Sequence, residues 1–118
     1  MELTREQAIA EHRKMWNWIA DNIETLESTL DIWGYKKEYC SINDCYWVSN
    51  WCFLCEYTND DCNICPLDWG KNSPYQCEGK ISVPEKRGLW WKCQKAETWQ
   101  EQAALARQIA NLPERTDV

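Results

Sequence analysis

Histidine is almost missing from this sequence: in 118 residues it occurs once, as His12. A catalytic metal centre built on several histidines is therefore excluded, as is a histidine-activated nucleophile away from residue 12. Phenylalanine also occurs once, and glycine and proline four times each. No glycine-rich phosphate loop, H-E-x-x-H helix or nucleophile elbow is present. No apolar run approaches the ~20 residues that span a bilayer, and the opening Met1-Glu2-Leu3-Thr4-Arg5-Glu6-Gln7 lacks the basic, apolar and small-residue order of a signal peptide. These absences lead to the expectation of a cytoplasmic protein that is not an enzyme, with no membrane segment and no small-molecule substrate.

Cysteine and tryptophan, by contrast, are abundant, at eight and nine residues. In a reducing compartment such cysteines serve metal binding or burial rather than disulfides. The net charge of −6 argues against a surface that tracks a phosphate backbone throughout. Residues 1–34 hold 7 acidic and 3 basic side chains, residues 35–95 hold 8 of each, and residues 96–118 hold 4 and 2, so the excess acid lies at the two ends. The length fits a single domain with one small, Trp-rich core.

The pattern predicts an α+β fold in which two terminal helices pack on a Cys-rich, zinc-knuckle-like centre with short strands. The first helix is placed within residues 1–34. Thr4 and Gln7 form a capping-box signature, and Ile9, His12, Trp16, Ile19, Ile23, Leu26 and Leu30 recur at helical spacing until Gly34 ends the run. Residues 35–95 form the metal-binding region, with Cys45–Phe53 and Lys86–Cys93 as candidate strands because both are short and aromatic. Residues 96–113 form the second helix, with Trp99, Ala103, Ala106 and Ala110 in one stripe before Pro113, and residues 114–118 are expected to fray.

The strongest motif is Cys52-x-x-Cys55 followed after six residues by Cys62-x-x-Cys65. Two thiolates two residues apart grip one ion from a tight turn, and a second turn completes the tetrahedral shell that Zn2+ accepts. Cys77 is an alternate ligand in place of one member. Cys40, Cys45 and Cys93 could build a second site with Cys77, although burial as small hydrophobes suits their irregular spacing better. His12, on an apolar stripe, reads as a packed core residue. A C-x-x-C pair can also be a redox couple where it opens a helix beside a strand, but two neighbouring pairs with Pro66 directly after fit joint coordination better.

The runs Cys55-Glu56-Tyr57, Cys62-Asn63-Ile64-Cys65-Pro66-Leu67-Asp68-Trp69, Glu11 to Trp18 and Leu105 to Pro113 resemble small uncharacterised proteins of phages and prophages of Gram-positive bacteria. The resemblance implies a phage-borne accessory protein with a cysteine-bound metal, acting in the host cytoplasm, a context that includes inhibitors of host defence. Exposed Trp would then anchor a protein partner. The alternative is nucleic-acid binding through Lys86, Arg87, Trp90, Trp91 and Lys92, with Lys80 and Lys95 nearby, where cations meet phosphates and rings stack on bases.

Overall fold

The computed structural model describes residues 3–45, 47–48, 51–61, 64–69 and 88–116. Its elements are α1 (Arg5–Leu26), α2 (Ile32–Ile42), α3 (Phe53–Thr58), α4 (Leu89–Gln94) and α5 (Trp99–Ala110). Among the described residues every regular element is a helix, which overturns the α+β expectation. Strand-type pairing is confined to a single bridge between Leu67 and Glu114.

The two strand candidates fail for a local reason. In the first, the Cys45, Val48 and Trp51 amides donate to the carbonyls of Cys40, Cys45 and Val48, so donors that a ladder would need are used in successive turns. In the second, Gly88 caps α4, and the Lys92 amide donates to its carbonyl at 3.0 Å. Aromatic richness favours strands only where a pleated surface exists to receive the rings. Here Trp90 meets Trp33 of α2 instead.

α1 begins as the capping box requires: the Gln7 amide donates to Thr4 Oγ1 at 3.1 Å, and the Thr4 amide to Gln7 Oε1 at 2.9 Å. It ends earlier than Gly34. Glu27 takes the left-handed conformation at φ 48°, Leu26 is exposed, and the chain restarts as α2 with Gly34 inside it. Ile9, His12, Trp16, Ile19 and Ile23 are buried as their spacing demands, against Ala103, Ala106, Ile109 and Ala110 of α5.

Two arginines fasten the C-terminal part of α5 to α1. Arg13 donates to the carbonyls of Ala110 and Leu112 at 2.9 and 3.1 Å, satisfying acceptors left open at the α5 C-terminus. Arg107 bonds Asn17 Oδ1 and Asp21 Oδ1 at 2.9 and 2.6 Å and also pairs with Glu24. Gln102, wholly buried, accepts from the Leu30 amide at 2.7 Å and donates to the carbonyls of Leu30 and Cys93 at 2.9 and 3.0 Å. It thereby ties α5 to the α1–α2 connection and to α4. Residues 114–116, expected to fray, lie beside the Pro66–Asp68 run: the Asp68 amide donates to Pro113 O and the Arg115 amide to Pro66 O at 2.9 and 2.8 Å.

The core is less Trp-rich than composition suggests. Of the nine Trp only Trp16 and Trp69 are buried, and most of the volume comes from Ile, Leu, Ala and Met side chains.

Candidate metal and aromatic site of the central segment

Cys52 is the N-cap of α3 and Cys55 sits in its first turn, with the Cys55 amide donating to Cys52 Sγ at 3.4 Å. The Cys55 thiol hydrogen-bonds the same sulfur. That bond, reinforced by the positive charge of Lys36 and by backbone amides against the opposing effect of burial, brings the Cys52 thiol down to about 6. The lowering favours the thiolate, the form a metal ion takes. Cys65 is buried, with its carbonyl accepting from Arg115 Nη1 at 3.3 Å. Cys62 and the alternate ligand Cys77 lie outside the described residues. Among the described residues no three His, Cys, Asp or Glu side chains converge on one point. The donor chemistry of Cys52 and Cys55 fits a structural zinc ion, and Cys62 and Cys65 would have to complete the shell.

The other cysteines divide differently from the second site considered above. The Cys40 and Cys45 thiols hydrogen-bond each other, and burial pushes Cys40 up to about 12 and raises Cys45 as well. Cys93 is also pushed to about 12 by burial, and its thiol lies 3.6 Å from the Gln102 carbonyl at the α4–α5 junction. These three remain protonated, and Cys93 packs at a different helix junction from the Cys40–Cys45 pair. The C-x-x-C at residue 52 does open a helix, but no strand adjoins it among the described residues, so the redox reading lacks half of its context.

Beside Cys52 lies a group that spacing alone did not single out. Lys36 is almost completely buried, and its Nζ lies 5.9, 5.6 and 5.6 Å from the ring centroids of Trp16, Trp33 and Trp90. Three indole faces around one ammonium offset part of its lost hydration. Among the described residues no carboxylate pairs with it. Trp33 further meets Trp51 edge-on at 4.8 Å, and Trp90 stacks on Trp91 at 6.2 Å. Four rings from α2, the turn before α3, and α4 therefore run in sequence, with Lys37 over Trp51 and Lys95 over Trp91.

No family model, no curated protein and no solved structure matches this chain. The site is accordingly read from its own geometry. Of the proposed basic and aromatic patch, Trp90 and Trp91 are half-buried and Lys92 is exposed, while Lys86 and Arg87 lie outside the described residues. The signal for Lys36 was present in the sequence as Trp33, Lys36, Lys37 and Cys40 at helical spacing, readable only once α2 was known to be a helix.

Two features mark this segment as built for something other than burial. Trp33, Ile42, Trp47, Tyr57 and Ile64 remain exposed, Ile42 at 63% and Ile64 at 48%. Asp44, Trp51, Asn59 and Asp60 are all left-handed, with φ between 47° and 65°. For Trp51 in particular this conformation is uncommon and strained, and such residues gather where surrounding contacts impose a shape.

Proposed function

We propose that the protein is a non-catalytic binding module. Its central segment, organised by Zn2+ on Cys52, Cys55, Cys62 and Cys65, presents aromatic and aliphatic side chains to a protein partner. The observation that carries this reading is the placement of exposed apolar residues: Trp33, Ile42, Trp47, Tyr57 and Ile64 fall within one stretch of the chain, while the large α1–α5 frame exposes only Leu26. Rings that stay in solvent at an entropic and hydration cost are the usual anchors of interfaces. A role as a phage-type accessory factor, including inhibition of a host defence system, belongs to the same proposal and rests on the sequence resemblance.

Nucleic acid fits less well. Lys36 is enclosed by its own indoles, and Lys37 and Lys95 already cover the faces of Trp51 and Trp91, so cations and ring faces engage each other instead of phosphates and bases. The deciding experiment is capture from cell lysate by the zinc-loaded protein, with and without nuclease, beside a Trp47→Ser/Ile64→Ser variant. A partner that survives nuclease and is lost with the variant supports the proposal. Loss of all captured material on nuclease, together with salt-dependent single-strand binding abolished by Trp90→Ala/Trp91→Ala, would replace it with the nucleic-acid reading.

A further inference from the structure

α2 has a second face. Opposite the Lys36 cage, α1 and α2 enclose a half-open pocket of about 430 Å³ lined by Trp18, Asn22, Asp31, Gly34, Tyr35 and Glu38. The Trp18 and Tyr35 rings lie 5.8 Å apart at 44°, an angled wall of two half-buried faces instead of a closed stack. Its volume lies within the range of pockets that take small organic groups.

The carboxylates of this pocket are unusual in what they do not do. Asp31 occupies the N-cap position of α2, yet its side chain makes no cap hydrogen bond. Gln94 takes that role: its Oε1 accepts from the Ile32 amide at 2.8 Å, and its Nε2 donates to Asp31 Oδ1 at 3.0 Å. Asp31 Oδ2 is left over Gly34, where a Cβ would stand 3.1 Å from it. The absence of a side chain at residue 34 thus keeps both the oxygen and the pocket clear. Glu38 forms no ion pair among the described residues.

Among the described residues no cation pairs with either carboxylate of this place. Residues 15–35 contain four acidic side chains and no Lys, Arg or His. Of the two lysines that follow, Lys36 is held by the indole cage and Lys37 lies over Trp51. Two carboxylates with no ion pair among the described residues, set against two aromatic faces, form the arrangement that recognises an organic cation by charge and by the ring quadrupole together.

We propose that the pocket between α1 and α2 receives the guanidinium or ammonium group of a basic side chain on the protein partner, between Trp18 and Tyr35 and against Asp31 and Glu38. The proposal rests on the binding-module reading and specifies the chemistry of the partner. It is tested by NMR titration of the full-length protein with acetyl-Gly-Arg-Gly-amide, its norleucine analogue and tetramethylammonium. The expected result is a saturable shift of the Trp18 indole and Tyr35 ring signals with the arginine peptide, and binding weaker by about tenfold or more for the norleucine analogue. Glu38→Gln, which removes no hydrogen bond seen in the structure, weakens the arginine peptide by a similar factor, and Gly34→Ala weakens it by crowding Asp31.

No saturable shift at millimolar peptide, or equal binding of the norleucine analogue, overturns the proposal. So does tetramethylammonium binding more tightly than the peptide, which would make this a site for free organic cations. The binding-module reading is judged separately. If Glu38→Gln binds no arginine peptide but still captures the nuclease-resistant partner, the module reading stands and the assignment of this pocket to the partner's cation falls.

Discussion

The α1–α5 frame and the segment from α2 to Ile64 are made of the same chain under opposite rules. In the frame, apolar residues recur at helical spacing and are buried, polar side chains cap or bridge backbone groups, and a single non-glycine residue, Glu27, turns left-handed. Among the described residues of the central segment four non-glycine residues are left-handed, large apolar side chains face solvent, and one ammonium is buried with no carboxylate paired to it. The frame pairs most of its buried polar groups, His12 Nδ1 being an exception, whereas the central segment carries features that suit a ligand: a thiol of lowered pKa, a caged cation and exposed rings. A protein that needed only to fold would not require the second region, and this is why function is sought there.

The largest effect that would sharpen the contrast is metal removal. If a thiolate-bound zinc organises the centre, chelation removes a binding free energy that is there folding free energy, on the order of 10 kcal/mol for structural zinc sites. Near-ultraviolet circular dichroism from Trp33, Trp51 and Trp90 is expected to collapse, while far-ultraviolet signal from α1 and α5 largely remains. An unchanged Trp signal after complete removal, or no metal by elemental analysis of the purified protein, would break the distinction between the two regions.

Acid should attack the frame instead. His12 is buried, with its Nε2 2.9 Å from Ile109 O, and burial, aided by the charges of Lys36 and Arg13 against the pull of that carbonyl, lowers its pKa from 6.5 to about 3. Between those values the unfolded chain binds a proton that the folded one refuses. The stability His12 confers is therefore complete above pH 6.5 and drains away as pH falls toward 3, by up to roughly 5 kcal/mol. Urea unfolding at a series of pH values measures the slope, and His12→Gln is expected to flatten it.

Gln102 gives the next effect. Replacing it by Ala takes the Gln102 amide away from the Leu30 amide and the Leu30 carbonyl, while the Cys93 carbonyl keeps its backbone donors Lys95 and Ala96, and at about 1–3 kcal/mol for each group left unpaired a loss of roughly 3 kcal/mol is expected in chemical denaturation. Because these bonds join α5 to α4 and to the start of α2, the variant should also loosen the Trp90 environment, visible as a red shift of fluorescence.

Legibility followed the same division. The capping box at Thr4, the α1 stripe and the α5 stripe were all readable, because local periodicity and packing agree there. α2 is not legible locally because it carries Gly34 and a cysteine and follows directly on a C-terminal signal, whereas the chain turns already at Glu27. The rings of Trp90 and Trp91 favour a strand by aromatic propensity alone, and the α2 surface that Trp90 packs on is set only by the fold. The Cys52–Cys55 pair was recognised by spacing, but its helix-capping geometry and the Lys36 charge beside it need three dimensions: the cage draws Trp16, Trp33 and Trp90 from three separate helices.

The smallest expected change in stability belongs to the variant that matters most for function. Trp47 and Ile64 are exposed and make none of the ring contacts that link Trp33, Trp51, Trp90 and Trp91. Trp47 is 36% and Ile64 48% exposed, so exchanging both for Ser gives up part of each side chain's contacts, and a loss of about 1–2 kcal/mol is expected. In the frame, an exchange of Ile19 or Ile23, both wholly buried, would cost more, because a cavity is left behind. If the two regions differ as argued, Trp47→Ser/Ile64→Ser stays folded and keeps its zinc content but loses partner capture, since interface anchors contribute more on binding than on folding. A loss of more than about 3 kcal/mol would show these side chains to be part of the packing, and the central segment would then be a second core instead of a presented surface.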